Sequence, residues 1–496
     1  MFVIFVANLI FWTFLAGCLV HWLIFLLFIK PKNIPDGPLV LPIIGNIWYF
    51  AFCTDYCQAM LKLHHRYGKA VTIFAGLSRK AMNVVIFDYK LTQHLQNGKI
   101  GEIISHRPEK LNEIRGVTEG IVWGQYPVAR HLRAMVMKCF KEMGFSHGQC
   151  LIKPVEDEIN RMFKSISNQC GKALNPEILL IEHFASSITI GAISRRLDLS
   201  NEEHRQVLNK AHGFFDATPL EMFLLPYLVD FSYLIKDKSA IAEKWLEQTM
   251  SKWLEEERLE RTKGGLKINV ENARDVFDVY LSSNPNIDQV DPHFMRAMVD
   301  TYFGAMETGA TQLLWLIFYL AHQPDEQERI FNELLEQVGE SSLPQPKHLN
   351  QCPKLQSYIE EMQRFSIMTT QGFPRRVATD VDIDGIELKQ NDSVIFSWRA
   401  IQVDPEYWID PDNFRPNRWL DPATGKFIQK GHTFQFGTGK RVCPGENIAR
   451  NLVFCFIAAI IQRFQWKLAS KPNFNGYKMN LLRRPSDFQV VFTDRY

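Results

Sequence analysis

The chain has no excess of either charge: 56 Lys and Arg stand against 54 Asp and Glu over 496 residues, a net charge of +2. That balance offers no basic face for nucleic acid, and no nucleic acid is expected as a partner. A disulfide framework is missing too. The nine cysteines are odd in number and irregularly spaced, which excludes a secreted, cross-linked scaffold. Cys53 and Cys57 have the spacing of half a zinc site, but no second Cys or His pair follows at zinc spacing. No Gly-x-Gly-x-x-Gly follows a strand pattern, so no dinucleotide-binding turn is visible, and electrons for any redox chemistry have to come from another protein. Internal repeats, low-complexity tracts and a domain boundary beyond residue 40 are not seen either. What the chain does have is 46% hydrophobic against 22% charged residues, the balance of an ordinary packed core.

Charge is also missing locally. Between Phe2 and Ile29 there is no Asp, Glu, Lys or Arg. A helix of that length exceeds the roughly 20 residues that cross a bilayer. No basic residue precedes the run, while Lys30 and Lys32 follow it, unlike a cleaved signal peptide or an Arg-rich presequence. Residues 1–29 therefore read as an uncleaved single-pass anchor in the endoplasmic reticulum membrane, with the rest of the chain on the cytosolic side. Three prolines and a glycine between Pro31 and Pro38 make residues 30–41 a stiff, non-helical hinge.

Beyond the hinge, helical periodicity dominates. Short β-branched runs at Ala70–Ala75 and Asn83–Phe87 read as a hairpin, and further strands are expected at Arg376–Leu388 and Ser393–Ser397. Gly68 and Gly339 are expected to end helices, the second of which starts at Pro324. The segment from Pro292 to Gln323 reads as one long apolar helix, capped by Asp291 with a proline in its first turn. The expected fold class is mainly α with small β-sheets.

Near the C-terminus stands Phe436-Gly437-Thr438-Gly439-Lys440-Arg441-Val442-Cys443-Pro444-Gly445. One cysteine lies in a glycine-punctuated loop, the arrangement that holds a heme iron by a single thiolate. Gly437, Gly439 and Gly445 would let the backbone turn tightly against a flat ligand. Arg441 can pair with a propionate, and Phe436 can shield the sulfur. A helix pattern from Glu446 to Phe464 begins almost on the cysteine, and its positive end is expected to lower the thiol pKa. On the long helix, Gly304-Ala305-Met306-Glu307-Thr308 leaves room beside Thr308 and sets an acid next to an alcohol, a pairing suited to proton transfer. Glu361 and Arg364 share a helix face.

The cysteine loop, with Ala449 after it, resembles the heme loop of the cytochromes P450. The likeness extends over residues 31–496 in the family's order: oxygen-side helix, Glu-x-x-Arg, aromatic–proline–arginine segment, heme loop. The anchor and hinge liken it to microsomal animal members. The resemblance implies a cytochrome P450 fold at residues 42–496 and a heme (protoporphyrin IX iron) cofactor with Cys443 as axial metal ligand. Arg133, Arg375 and Arg441 would hold the propionates; Phe436, Gly445 and Ala449 would line the cofactor; Glu307 and Thr308 would be the catalytic proton-handling pair. Glu361, Arg364 and Arg418 would form a structural network behind the heme loop. The family's tryptophan four residues before Arg133 is replaced by Ala129, Trp123 being out of register, and the glycine and alanine at 304 and 305 are swapped.

The implied activity is insertion of one oxygen atom from O2 into a lipophilic substrate: a steroid or sterol, a fatty acid or a xenobiotic. The implied partners are NADPH–cytochrome P450 reductase, cytochrome b5 as a second electron donor, and membrane lipid. Lys138, Lys141 and Lys440 are candidates for the reductase docking patch. Residues Ile114–Val122, Phe214, Phe215, Phe303, Thr369–Phe373, Leu481 and Leu482 are expected to line the substrate pocket. Two rival functions stay open at this point: a heme-thiolate isomerase that rearranges peroxides without O2, and a non-enzymatic membrane heme binder.

Overall fold

The computed structural model describes residues 2–109, 112–113, 119–144, 152–219, 238–263, 268–429, 431 and 433–496. The charge-free N-terminus is a helix, α1 (Phe2–Ile24), whose last turn continues as a π-helical Phe25–Ile29. Most of it is bare: Phe5, Trp12, Phe14 and Phe28 are exposed. Its end is not. Phe25 is buried edge-on against Phe74, with ring centroids 5.1 Å apart, and the Trp22 indole donates to the Val40 carbonyl at 2.7 Å.

Phe74 belongs to a four-stranded sheet of the expected hairpin strands, Ala70–Phe74 and Met82–Ile86, with Ser393–Phe396 and Arg375–Arg376 beside them. The hairpin is antiparallel, Ala70 opposite Ile86, and Ser393–Phe396 joins it in parallel. Both hairpin strands are buried on both faces, which suits the β-branched runs Val71–Ile73 and Val84–Ile86 at their centres and ends. Helix α2 (Tyr56–Tyr67) packs on this sheet and stops at Gly68, whose φ of +75° suits glycine.

The helical layer comprises α3 (Tyr126–Glu142), α4 (Pro176–Ile193), α5 (Glu202–Phe215), α6 (Lys238–Lys263), α7 (Pro292–His322), α8 (Pro353–Ser366) and α9 (Glu446–Arg463). At the centre runs α7. The Asp291 carboxylate accepts from the His293 and Phe294 amides at 2.7 and 3.1 Å, as the sequence predicts for its cap. Every residue from Leu313 to Leu320 is buried, so this half is surrounded on all sides, as a helix apolar all round must be. Helix α4, which is also long and apolar enough to cross a membrane, is instead mostly buried and packs on α7. The helix from Pro324 ends at Gln337, and the Gly339 amide folds back to the Leu334 carbonyl with φ at +90°.

Candidate functional site

A cavity of about 600 Å3 lies between the middle of α7 and the loop that leads into α9. Cys443 is on one wall, with Phe436, Gly437, Arg441, Val442, Pro444, Gly445, Ile448 and Ala449. Gly304, Ala305, Thr308 and Gly309 of α7 are also part of the lining.

The loop is held by its own backbone. The Cys443 amide donates to the Phe436 carbonyl at 2.8 Å and the Val442 amide to the Gly439 carbonyl at 3.1 Å. Gly439 has φ +70°, and a Cβ there would stand 2.0 Å from the Gln96 carbonyl oxygen, so no other residue fits. Gly445 differs from Gly437 and Gly439, which have φ +70°. Its φ is −92°, it is the first residue of the α9 cap, and its missing Cβ leaves clear space 3.9 Å from the Cys443 sulfur. Ala449 follows one turn later, its amide bonded to the Gly445 carbonyl at 2.8 Å. Phe436 is buried under the Arg450 guanidinium, 5.0 Å from its ring.

One expectation is corrected. The start of α9 does not by itself lower the Cys443 thiol: burial pushes it up to about 11, while the Gly445 amide and Arg133 pull weakly the other way. Removing a thiolate from water costs more than one helix end returns. A coordinated metal ion is what deprotonates such a thiol outright.

Of the arginines that line the cavity, Arg130 is exposed and Arg296 is paired with Glu243 and Asp300, which leaves Arg107, Arg133, Arg375 and Arg441. Among the described residues none of them is ion-paired with a carboxylate. Arg441 gives its protons to the carbonyls of Ser105, Ile121 and Gly124. Arg107 donates to the Val122, Phe373 and Pro374 carbonyls, and Arg133 to that of Val442. Arg375 reaches the Gln96 amide oxygen at 2.7 Å. Burial lowers Arg441 to about 10 and Arg375 to about 9, and holds Arg107 well below its usual range. Several desolvated cations without counter-ions beside one cavity call for an anion. A dianionic porphyrin whose metal takes a soft sulfur ligand fits that donor set. Arg107 was not expected from the sequence; it precedes Pro108 in an irregular segment with no periodicity to mark it. Ala129, with Arg130, lines the cavity on α3, and Trp123 is buried beside it, edge-on to Phe373 at 5.2 Å.

The acid and the alcohol of α7 part company. Thr308 faces the cavity and donates to the Gly304 carbonyl at 2.7 Å. A Cβ on Gly304 would meet nothing within 4 Å, so the swapped Gly–Ala order leaves open space beside Thr308. Glu307 lies off the cavity. It is buried between His212 of α5, at 2.8 Å, and Arg484, at 3.3 Å. Neither partner was singled out in the sequence.

On α8 the Glu-x-x-Arg pair is a closed network with the segment from Gln402 to Trp419. Arg364 of α8 meets both oxygens of Glu361, at 2.8 and 3.0 Å. Arg418 Nε, the Trp419 indole at 3.0 Å and the Arg415 amide at 2.8 Å complete the ring of donors. Of the basic docking candidates, Lys440 pairs with Glu102 at 3.1 Å and Lys138 lies 3.8 Å from Glu142, while Lys141 is exposed.

Much of the remaining wall is apolar: Ile121, Val122, Phe214, Phe215, Phe303, Met368, Phe373, Leu481 and Leu482, with Thr369, Gln371 and Gly372; its charged part is Arg296, which pairs with Glu243 and Asp300. Positions 114–118 of the expected lining lie outside the described residues.

A family model described as Cytochrome P450 matches residues 35–492. The chain is 24% identical over 495 residues to Cytochrome P450 2U1 of Bos taurus, spanning 94% of this chain and 90% of that protein. It is 22% identical over 453 residues to Cytochrome P450 2J2 of Homo sapiens (88% and 86% covered) and 23% identical over 462 residues to Cytochrome P450 2D1 of Rattus norvegicus (89% of each).

Proposed function

Since the chain belongs to the cytochrome P450 family and is a heme-dependent monooxygenase, we propose that it oxidises a lipophilic small molecule at the endoplasmic reticulum membrane, with electrons from NADPH–cytochrome P450 reductase. Heme supplies the activation of O2. Cys443 would give its sulfur to the iron, and Arg133, Arg375 and Arg441, joined by Arg107, would hold the propionates. The observation that carries this assignment is the pairing of one cavity-facing thiol with four arginines, Arg107 and Arg375 buried and Arg133 and Arg441 half-buried, that have no carboxylate partner among the described residues.

The protein's own share of the chemistry is positioning and proton supply. The apolar and aromatic wall favours a lipophilic substrate and excludes water around it; a steroid or sterol, a fatty acid and a xenobiotic all meet that description. Thr308 keeps a hydroxyl at the cavity wall, and Glu307 holds an acid one residue away. The Glu361 network braces the cysteine loop. Residues 1–29 anchor the chain, residues 30–41 form the hinge and 42–496 the catalytic domain. The exposed Leu39, Ile43, Ile44 and Phe52, on the side where α1 ends, support a domain that sits against lipid. Lys138, Lys141 and Lys440 remain the proposed reductase contacts, with cytochrome b5 as a second donor.

The test is the reduced, CO-bound absorption spectrum of the heme-loaded protein. Wild type should give the red-shifted thiolate band and Cys443→Ser should lack it. A wild-type protein that binds no heme, or binds it through nitrogen, sinks the assignment. Spin-shift titrations with lauric acid and with progesterone then sort the substrate classes. Turnover of a lipid hydroperoxide, with none from NADPH plus reductase, would favour peroxide rearrangement instead.

A further inference from the structure

The buried Glu307 is the inner end of a chain of groups that reaches solvent. Its Oε1 lies 2.8 Å from His212 Nδ1. His212 Nε2 faces Asp216 Oδ1 at 3.8 Å and Arg484 Nη1 at 3.4 Å. Arg484 in turn spans Glu307 Oε2, at 3.3 Å, and Asp216 Oδ1, at 3.6 Å, and the Asn480 amide donates to Asp216 at 3.2 Å. Side-chain exposure falls along this line from 48% at Asp216 to 38% at His212 and 1% at Glu307. The next residue, Thr308, is on the cavity wall.

The register is fixed by packing. Phe215, one turn after His212, stacks on Phe303 at 5.6 Å, and Phe303 is one turn before Glu307. Phe214 meets the same ring edge-on at 4.3 Å. α5 and α7 therefore cannot slide past each other without breaking the aromatic contact. The charged groups that face His212 are Glu307 from α7, Arg484 from the strand Arg483–Pro485, and Asp216 from its own segment. The neighbouring helix α6 turns its charges elsewhere: Glu243 and Glu247 to Arg296, Glu256 to Arg195, and Lys252 to Glu203. Two carboxylates thus face a single guanidinium, and a proton on the imidazole completes the balance. Consistent with this, the Glu307 hydrogen bond raises His212 above its usual range against the pull of burial.

We propose that Asp216, His212 and Glu307 form the solvent-side proton path of this enzyme, with Arg484 as the clamp that keeps the imidazole in line. The proposal rests on the monooxygenase reading above and specifies where its protons enter. In each pass a proton from water is taken up at His212 Nε2 beside Asp216. The proton on Nδ1 leaves to Glu307 Oε1, which carries it to the Thr308 side by rotation of the Glu307 side chain. The ring is then left with its proton on Nε2; it resets by turning its 38%-exposed side chain out to solvent, where Nε2 gives a proton to water and Nδ1 takes one from water, so the proton count of the ring is unchanged. Two passes supply the two protons consumed when the second oxygen atom becomes water, and the reductase supplies the electrons. Neutral imidazole has a settled arrangement as well: Nδ1–H donates to Glu307 while Nε2 accepts from Arg484. Arg484 and Asp216 are thus alternate partners of one ring nitrogen, as a relay requires.

The experiment uses the full-length, heme-loaded protein with reductase. NADPH-driven O2 consumption is followed from pH 6 to 9, in H2O and in D2O, for wild type, His212→Gln, His212→Lys and Asp216→Asn. His212→Gln should fall about tenfold, lose the pH limb of the wild type and gain a solvent isotope effect. His212→Lys should fall as far, because lysine keeps a cation against Glu307 but holds its proton at neutral pH. Asp216→Asn should fall only about twofold, since water reaches that end. A readout independent of turnover is the ring titration of His212 by NMR of histidine-labelled protein, assigned with His212→Gln. Its midpoint should drop in Glu307→Gln. Wild-type rates in His212→Lys, an unchanged pH profile in His212→Gln, or a His212 midpoint indifferent to Glu307→Gln would each overturn the relay. If the thiolate CO band is present in all variants, those results sink the relay alone; if wild type lacks the band, the monooxygenase reading falls with it.

Discussion

Two buried glutamates, Glu361 on α8 and Glu307 on α7, each stand next to an arginine, and they are built for different work. Glu361 is saturated: two nitrogens of Arg364, Arg418 Nε, the Trp419 indole and the Arg415 amide all point at it, and none of these donors changes its charge near neutral pH. Glu307 has one guanidinium at the long distance of 3.3 Å and one imidazole. The first carboxylate has nowhere to move a proton and every reason to stay put. The second keeps a titratable partner and a line to solvent. A carboxylate braced by fixed cations stiffens a loop; one that shares its shell with histidine stays available for transfer.

Glu361→Gln breaks that comparison where the effect is largest. Removing the charge leaves Arg364 and Arg418 buried without a counter-ion, a loss of about 3–5 kcal/mol. The variant should unfold at markedly lower urea concentration and load little heme, read from the CO difference spectrum. Wild-type stability and heme content would mean that the loop needs no brace.

Glu307→Gln should behave in the opposite sense. The amide oxygen still accepts from Arg484 and the amide nitrogen can donate to Nδ1 of the neutral His212 imidazole, so the stability loss stays near 1–3 kcal/mol and the CO band persists. Turnover should fall about 100-fold, the contribution of a positioned proton donor. A variant that loses heme instead of rate would place Glu307 with Glu361, as a structural carboxylate.

How much of this was legible beforehand follows the same divide. Glu361 and Arg364 lie three apart on one helix, so a local rule brings them together, and Arg418 sits in a recognisable proline–aromatic segment. The cap at Asp291 and the stop at Gly68 are local signals of the same kind, and both are borne out by the structure. Glu307 was legible as an acid beside Thr308, but its partners were not. His212 is 95 residues away and Arg484 is 177, and no spacing rule connects them. Arg107 was missed for a similar reason, since its role depends on which carbonyls the irregular segment after residue 104 brings near it. The Cys443 thiol shows a third limit. The helix start that should lower its pKa is visible in the sequence, whereas the burial that outweighs it is a property of the packed cavity.

The smallest effect sharpens the comparison most, because it separates a titratable shell from a fixed one. Glu307 holds His212 protonated to higher pH than an unperturbed imidazole. A raised folded-state value means that the pair contributes its full stability below the unfolded value near 6.5, and loses it as pH rises through the folded value. His212 is more than a third exposed, so solvent screening limits the contribution to about 0.5–1 kcal/mol. The stability difference between wild type and His212→Gln, from urea unfolding, should therefore be largest at pH 6 and vanish by pH 9. The difference between wild type and Glu361→Gln should stay level over that range, because no partner of Glu361 titrates there. A His212 increment that is flat with pH would mean that the imidazole is held by shape alone, and the contrast between the two glutamates would reduce to the number of hydrogen bonds each accepts.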